Sequence, residues 1–237
     1  MSFLILVRHG QSIWNLEKRF TGWVDIDLTE KGKSEAEKAG ILIKERNIEI
    51  NFYYSSLQIR ANNTLKIIQK TLDDKKPFSK AWQLNERHYG ALTGLNKIEM
   101  SKKIGEKKVH EFRRSWDIRP DALNKESPYH PINIKTYKDI PAEVIPDTES
   151  LKDTYERVTK YFDHEIKDKL INKNVLISAH GNSIRALCKN LFSLENDQIS
   201  NLEIPTGNPL IIQFGSNLKI IKCEYLDKER AKNLLVY

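Results

Sequence analysis

Two histidines sit in the same local setting. Arg8-His9-Gly10 closes the apolar run Phe3-Leu4-Ile5-Leu6-Val7, and His180-Gly181-Asn182 closes the run from Val175 to Ala179. A third run, Phe52-Tyr53-Tyr54, ends in Ser55-Ser56, with Arg60 just beyond it. Each precedes a segment able to start a helix, where free backbone N–H groups and the helix dipole favour an anion. Arginine's planar fork grips phosphate oxygens through paired hydrogen bonds. Two arginines near two histidines therefore suggest a phosphate site. A neutral imidazole can attack phosphorus while cationic neighbours neutralise the oxygens. A metal site fits less well, because no HExxH or paired cysteine spacing occurs and Arg8 beside His9 repels a cation. A serine hydrolase lacks its GxSxG elbow. Phosphoryl transfer also needs a proton donor for the leaving oxygen. Glu86, within Asn85-Glu86-Arg87-His88-Tyr89-Gly90, is a candidate, since a carboxyl crowded by phosphate can keep a proton near neutrality.

The elements that must hold these residues are legible as short apolar runs alternating with helical patterns. The runs ending at Val7 and Ala179 read as strands buried on both faces, as in a parallel sheet. Helical periodicity follows through Ala61, Leu65, Ile68 and Leu72, and again through Ile184, Leu187, Cys188 and Leu191. Thr29 to Ile43 reads as a capped amphipathic helix, and Thr148-Glu149-Ser150-Leu151 opens another running to about Leu170. The expected fold is α/β: a mostly parallel sheet with helices on both faces, in a single domain over 1–237. Residues 100–147 carry five prolines among polar residues and read as a long irregular excursion, a lid over the site.

Composition narrows the class. Of 237 residues, 39% are hydrophobic and 30% charged, which suits a globular chain. The net charge of +7 reads mostly as a lysine-rich surface. Lys102-Lys103 and Lys107-Lys108 fit an exposed helix face, and nucleic-acid signatures are absent. Phe3 to Val7 is too short to span a membrane and lacks a secretory leader's flanks. Two cysteines, Cys188 and Cys223, fit a reducing compartment as ordinary buried residues. A cytoplasmic location is expected, with no nucleic-acid or membrane partner; a homo-oligomer is compatible with the sequence.

The motifs together resemble a known family. Arg8-His9-Gly10-Gln11-Ser12 with Asn15 is similar to the RHG signature of the histidine phosphatase superfamily. Phe20 to Trp23, Ser55 to Leu57 with Arg60, Leu84 to Gly90, Leu92 to Lys97, Arg113 to Ser115, Ala179 to Ser183 and Ile204 to Leu210 narrow the match. In that order they resemble the cofactor-dependent phosphoglycerate mutases, over residues 3 to about 225. The resemblance implies interconversion of 3-phosphoglycerate and 2-phosphoglycerate, primed by 2,3-bisphosphoglycerate as phosphoryl donor, without a metal. It implies that His9 is phosphorylated, that Glu86 is the acid and base, and that His180, Arg8, Arg60 and Asn182 stabilise the moving phosphoryl group. Gly10, Gln11, Ser12, Asn15, Thr21, Gly22, Arg87, His88 and Gly181 would line the site. Tyr89, Lys97, Arg113 and Arg114 would hold the carboxylate and distal phosphate of small phosphorylated acids. Trp14 and Trp23 read as packing residues, and His110, His130 and His164 as structural or exposed.

Two departures from the family pattern bear on the outcome. Trp116-Asp117-Ile118-Arg119-Pro120 thins the usual proline run, and the sequence stops at Asn233-Leu234-Leu235-Val236-Tyr237 without the longer family tail. The expectation is a higher phosphatase share with mutase activity dominant. The alternatives are a bisphosphoglycerate mutase or phosphatase, or another phosphomonoesterase using the same histidine. A non-catalytic scaffold would be expected to have lost some of Arg8, His9, Arg60, Glu86 and His180, and all five are kept.

Overall fold

Alternating short strands and amphipathic helices leave each strand to bury both faces. The computed structural model, which describes residues 1–231, shows how they do so. The tail, Lys232 to Tyr237, and the expectation attached to it lie outside the described residues. The strands are β1 (Ser2–Arg8), β2 (Phe52–Ser55), β3 (Phe78–Lys80), β4 (Val175–Ala179), β5 (Leu210–Phe214) and β6 (Ile220–Tyr225). They form one sheet in the order β3-β2-β4-β1-β5-β6. All neighbours from β3 to β1 are parallel, whereas β5 runs antiparallel to both β1 and β6.

The alternation of β1 explains the layers. Leu4 and Leu6 join a core with Val158 and Phe162 and with Ile184 and Leu187, while Ile5 and Val7 join Ala39, Ile43, Leu65 and Ile68 on the opposite face. The first pair meets α6 (Leu151–Tyr161) and α7 (Gly181–Phe192), and the second meets α2 (Glu30–Lys44) and α3 (Ile59–Leu72). Thr29 caps α2 through Gly32 N, and Ser150 with Asp153 forms a capping box on α6. The helix expected to run to about Leu170 stays α-helical only to Tyr161. It continues as a π turn over Phe162–Ile166 and a 3-10 turn over Lys167–Ile171. α1 (Ile13–Leu16) is a single turn after the first histidine.

The excursion is more ordered than its prolines imply. Its first part forms α4 (Lys97–Ile104) and α5 (Glu106–Arg114), broken at Gly105, whose φ of +89° favours glycine. Val109 is buried on Phe20 and Leu92, with Met100, Ile104 and Phe112 packed around them, a small core separate from the sheet. Lys102-Lys103 and Lys107-Lys108 lie on these two helices, as the exposed helix face read from the sequence requires, within a stretch otherwise expected to be irregular. The remainder, to 147, holds only short 3-10 turns, anchored by Tyr137 and Ile140 packing on Trp23. β3, β5, β6 and α8 (Asn196–Asn201) were not anticipated.

Candidate active site

Sheet register sets the site. Arg8 pairs with Ala179 and Ser55 with Ser178, so the residues that follow, His9, His180 and Ser56, leave the sheet at one level. The two imidazole centroids are 5.0 Å apart. His9 Nδ1 lies 2.7 Å from the Gly10 carbonyl oxygen, which can only accept, so Nδ1 carries the proton and Nε2 keeps a lone pair. Burial, with Arg60 and Arg8 nearby, holds the His9 pKa well below its ordinary value, so the ring is neutral. Gly10 is dictated by closeness: a Cβ there would stand 2.1 Å from the Gly32 carbonyl oxygen in the first turn of α2. His180 is also held neutral, by burial and then by Arg60 and His9, and its Nε2 lies 2.8 Å from Ser56 Oγ.

Arg60, on the first turn of α3, donates Nη1 to Val24 O at 2.9 Å and Nη2 to Gly22 O at 2.9 Å. Arg8 donates Nη1 to Ile204 O at 2.7 Å, while its buried Nε has no partner among the described residues. Glu86 Oε1 accepts from the backbone N–H groups of Arg87 (2.8 Å) and Asn182 (3.2 Å), which leaves Oε2 to the cavity. The chain around Glu86 is clamped by Arg157, which donates to the carbonyls of Gln83, Asn85 and Glu86 and pairs with Glu149 at 2.6 Å.

These groups enclose a cavity of about 130 Å³. Its wall holds six cationic side chains, Arg8, Arg60, Lys97, Arg113, Arg114 and Arg185, against two carboxylates, Glu86 and Glu203. Asn15, Thr21, Gly22, Tyr89, Gly181 and Asn182 complete it. Burial lowers the Lys97 pKa to about 8, with Tyr89 opposing the drop and Arg113 and Arg8 adding to it. Burial pulls the Tyr89 hydroxyl upward, but Arg87, Lys97 and Arg113 outweigh it, and its pKa falls below the ordinary value. Arg114 pairs with Glu203, yet its buried Nη1 has no partner among the described residues. Unpartnered buried donors in a cationic wall suit an anion with several oxygens.

Comparison with known proteins gives the arrangement its lineage. Residues 4–133 and 129–223 match the Histidine phosphatase superfamily (branch 1). A relative from Pelagibacter ubique (strain HTCC1062), named 2,3-bisphosphoglycerate-dependent phosphoglycerate mutase, is 68% identical over 100% of both chains. One of the same name from Xylella fastidiosa (strain M12) is 49% identical over 94% of this chain and 90% of its own. The chain belongs to the histidine phosphatase superfamily. Among solved structures, Bacillus stearothermophilus YhfR superposes with a TM-score of 0.70 at 23% identity, covering 93% of this chain and 95% of its own. A mycobacterial glucosyl-3-phosphoglycerate phosphatase gives 0.67 at 20%, covering 94% and 96%. At such identities these two speak for the histidine phosphatase fold alone.

Within this histidine phosphatase site, most residues expected from sequence do converge on the cavity. Six stand outside its wall. His180, fully buried, stands behind His9 with its Nε2 on Ser56 Oγ. Gly10 packs on α2, as above. Gln11 donates its N–H to Glu35 at 2.8 Å, and its Oε1 accepts from Thr29. Ser12 caps α1. Arg87 stacks on the Tyr89 ring at 4.7 Å and donates to Phe112 O. His88 Nδ1 accepts from Gly90 N at 3.0 Å; burial, then His130, pushes its pKa down to about 3. His130 is buried, and His110 and His164 are exposed. Trp23 is fully buried and packs on Tyr137, and Trp14 meets Tyr129 edge-on at 5.5 Å. The sequence reading missed Arg185 and Glu203. Arg185 lies three residues after Asn182 on α7 and donates to its side-chain oxygen at 3.1 Å, a spacing that could have flagged it.

Proposed function

We propose that this chain is a 2,3-bisphosphoglycerate-dependent phosphoglycerate mutase, interconverting 3-phosphoglycerate and 2-phosphoglycerate through phospho-His9. The observation that carries the reading is the buried, neutral His9 ring, its Nδ1 proton tied to Gly10, with Nε2 left as a nucleophile among cations. The closely similar relatives' names supply the substrate, and the wall's unpartnered Arg8 and Arg114 donors suit its phosphates and carboxylate. Bound 2,3-bisphosphoglycerate supplies the phosphoryl group that primes His9.

His9 Nε2 uses its lone pair to form the N–P bond as the ester P–O bond breaks. The departing sugar-acid oxygen takes a proton from Glu86 Oε2, and in the return step Glu86 takes it back from the attacking hydroxyl. Arg8, Arg60, His180 and Asn182 face the oxygens of the transferring group, and Lys97, Tyr89, Arg113 and Arg114 hold the far end of the acid. We further propose that no metal takes part, since six cations in the wall repel one. A cytoplasmic setting fits the two buried free cysteines. Small phosphorylated acids are the partners, not nucleic acid.

The test is turnover of 3-phosphoglycerate with and without 2,3-bisphosphoglycerate, joined to labelling of the protein by that donor. Strong stimulation, an acid-labile adduct absent in His9→Ala and full activity after chelation are expected. Label retained in His9→Ala but lost in His180→Ala would reverse the two histidines. Release of inorganic phosphate as the main product would make the enzyme a phosphatase.

A further inference from the structure

Gln58 lies outside the cavity wall, fully buried, yet its amide touches the machinery on four sides. Its Oε1 accepts from Arg60 Nη2 at 3.2 Å and from the Glu86 backbone N–H at 2.9 Å. Its Nε2 donates to Gly22 O at 2.9 Å and to the Tyr137 hydroxyl oxygen at 3.2 Å. Tyr137 in turn donates its own proton to Trp23 O, so the oxygen facing Gln58 must act as acceptor. Every donor and acceptor of the amide is used, and each partner admits one orientation only.

We propose that Gln58 is a positioning residue for phosphoryl transfer, fixing Arg60 against the backbone of Glu86 and tying both to the docked Tyr137 segment. The assignment rests on the proposed reaction for the roles of Arg60 and Glu86. Arg60 keeps its bonds to Val24 and Gly22 without Gln58, so it would still be present, but it would lose one Nη2 contact and the amide that steadies its Gly22 acceptor. Glu86 would lose the bond on its backbone N–H, one of the contacts, with those from Arg157 and to Asn182, that set where its carboxyl enters the cavity. A misplacement of about 1 Å in such groups can cost on the order of 10²-fold in rate. The far-end grip by Lys97, Arg113 and Arg114 does not involve Gln58. Tyr137 reaches the site through Gln58 and, by its bond to Trp23 O, through the Gly22–Val24 backbone, while its ring packs on Trp23 and Ile140.

The experiment measures kcat, KM and the rate of phosphohistidine formation from labelled 2,3-bisphosphoglycerate in Gln58→Leu, Tyr137→Phe and the double variant. Gln58→Leu should lower kcat and the phosphorylation rate about 10- to 100-fold with KM moved less than about twofold. Tyr137→Phe should lower kcat less, and the double variant should fall well short of the product of the two single effects, since the Gln58–Tyr137 bond is counted in both. Unchanged kcat with only a lowered Tm would make Gln58 structural. Multiplying effects in the double variant would sever the tie to Tyr137. If Gln58→Leu does not fold, Tyr137→Phe decides: kcat unchanged at full folding overturns the proposal. A wild-type enzyme that forms no phosphohistidine would sink the proposed function itself, which is a different result.

Discussion

At the scale of single residues, Glu86 and Lys97 give the sharpest tests. Glu86→Gln keeps the shape that accepts from Asn182 N but cannot pass a proton; kcat should fall about 10²- to 10⁴-fold with KM little changed in steady-state assays. Lys97 titrates near 8, so it is charged below that pH and neutral above it. An anionic substrate binds the charged form better. KM for 3-phosphoglycerate should therefore rise as pH climbs through about 8, and Lys97→Gln should raise KM at neutral pH and flatten that rise. Chemistry-bearing residues at strand ends were legible because Arg8-His9-Gly10 and His180-Gly181-Asn182 each break an apolar run. Gln58 and Arg157 were not, because a buried amide or guanidinium within a helical pattern looks like any solvated polar residue until its partners from distant segments are known. Those partners, Tyr137 and Glu86 for the one and Gln83 and Glu149 for the other, meet only in the fold.

At the scale of elements, the contact between the His9 turn and α2 leaves no space. Gly10→Ala would place its methyl against Gly32 O, and Gly32→Ala would strike Gln11 O, each at 2.1 Å. Overpacking of this kind costs about 1–3 kcal/mol and often more where only backbone can yield. Either substitution should lower the urea midpoint and the specific activity together, whereas Gly105→Ala, which meets nothing within 4 Å, should do neither by contact and should cost only the strain of its φ of +89°. Three of the four parallel strands, β1, β2 and β4, were legible from apolar runs, with bounds within a residue or two; the short edge strand β3 was not. The β5–β6 hairpin was missed as well. β6 lies at the edge, and Lys222-Cys223-Glu224-Tyr225 does alternate polar with buried apolar residues, a period-2 signal in the sequence that could have flagged it. The helices α4 and α5 were legible only in part: Lys102-Lys103 and Lys107-Lys108 read as an exposed helix face, but with Val109 alone buried among their residues the bounds did not show against the proline-rich stretch downstream.

At the scale of the whole molecule, the excess of positive charge matters where it is concentrated. With six cations to two carboxylates around one small cavity, encounter with anionic substrates is favoured at a distance and screened by salt. KM for 3-phosphoglycerate should rise between low and physiological ionic strength, measured in a non-binding salt, with kcat nearly constant. Lys97, Arg113 and Arg114 share one further property. They ride on α4 and α5, whose core among the described residues is the cluster around Phe20, Leu92 and Val109, distinct from the two clusters that flank the sheet. An arm held by so few apolar contacts can melt by itself while β1 and β4 stay intact. Deuterium should therefore enter the amides of α4 and α5 well before those of the strands carrying the histidines. Each such opening, when it falls between the two halves of a catalytic cycle, exposes a high-energy N–P bond to the solvent. The futile loss of phosphate per turnover should then follow the opening frequency read from exchange, and tightening the Phe20 cluster should lower both together.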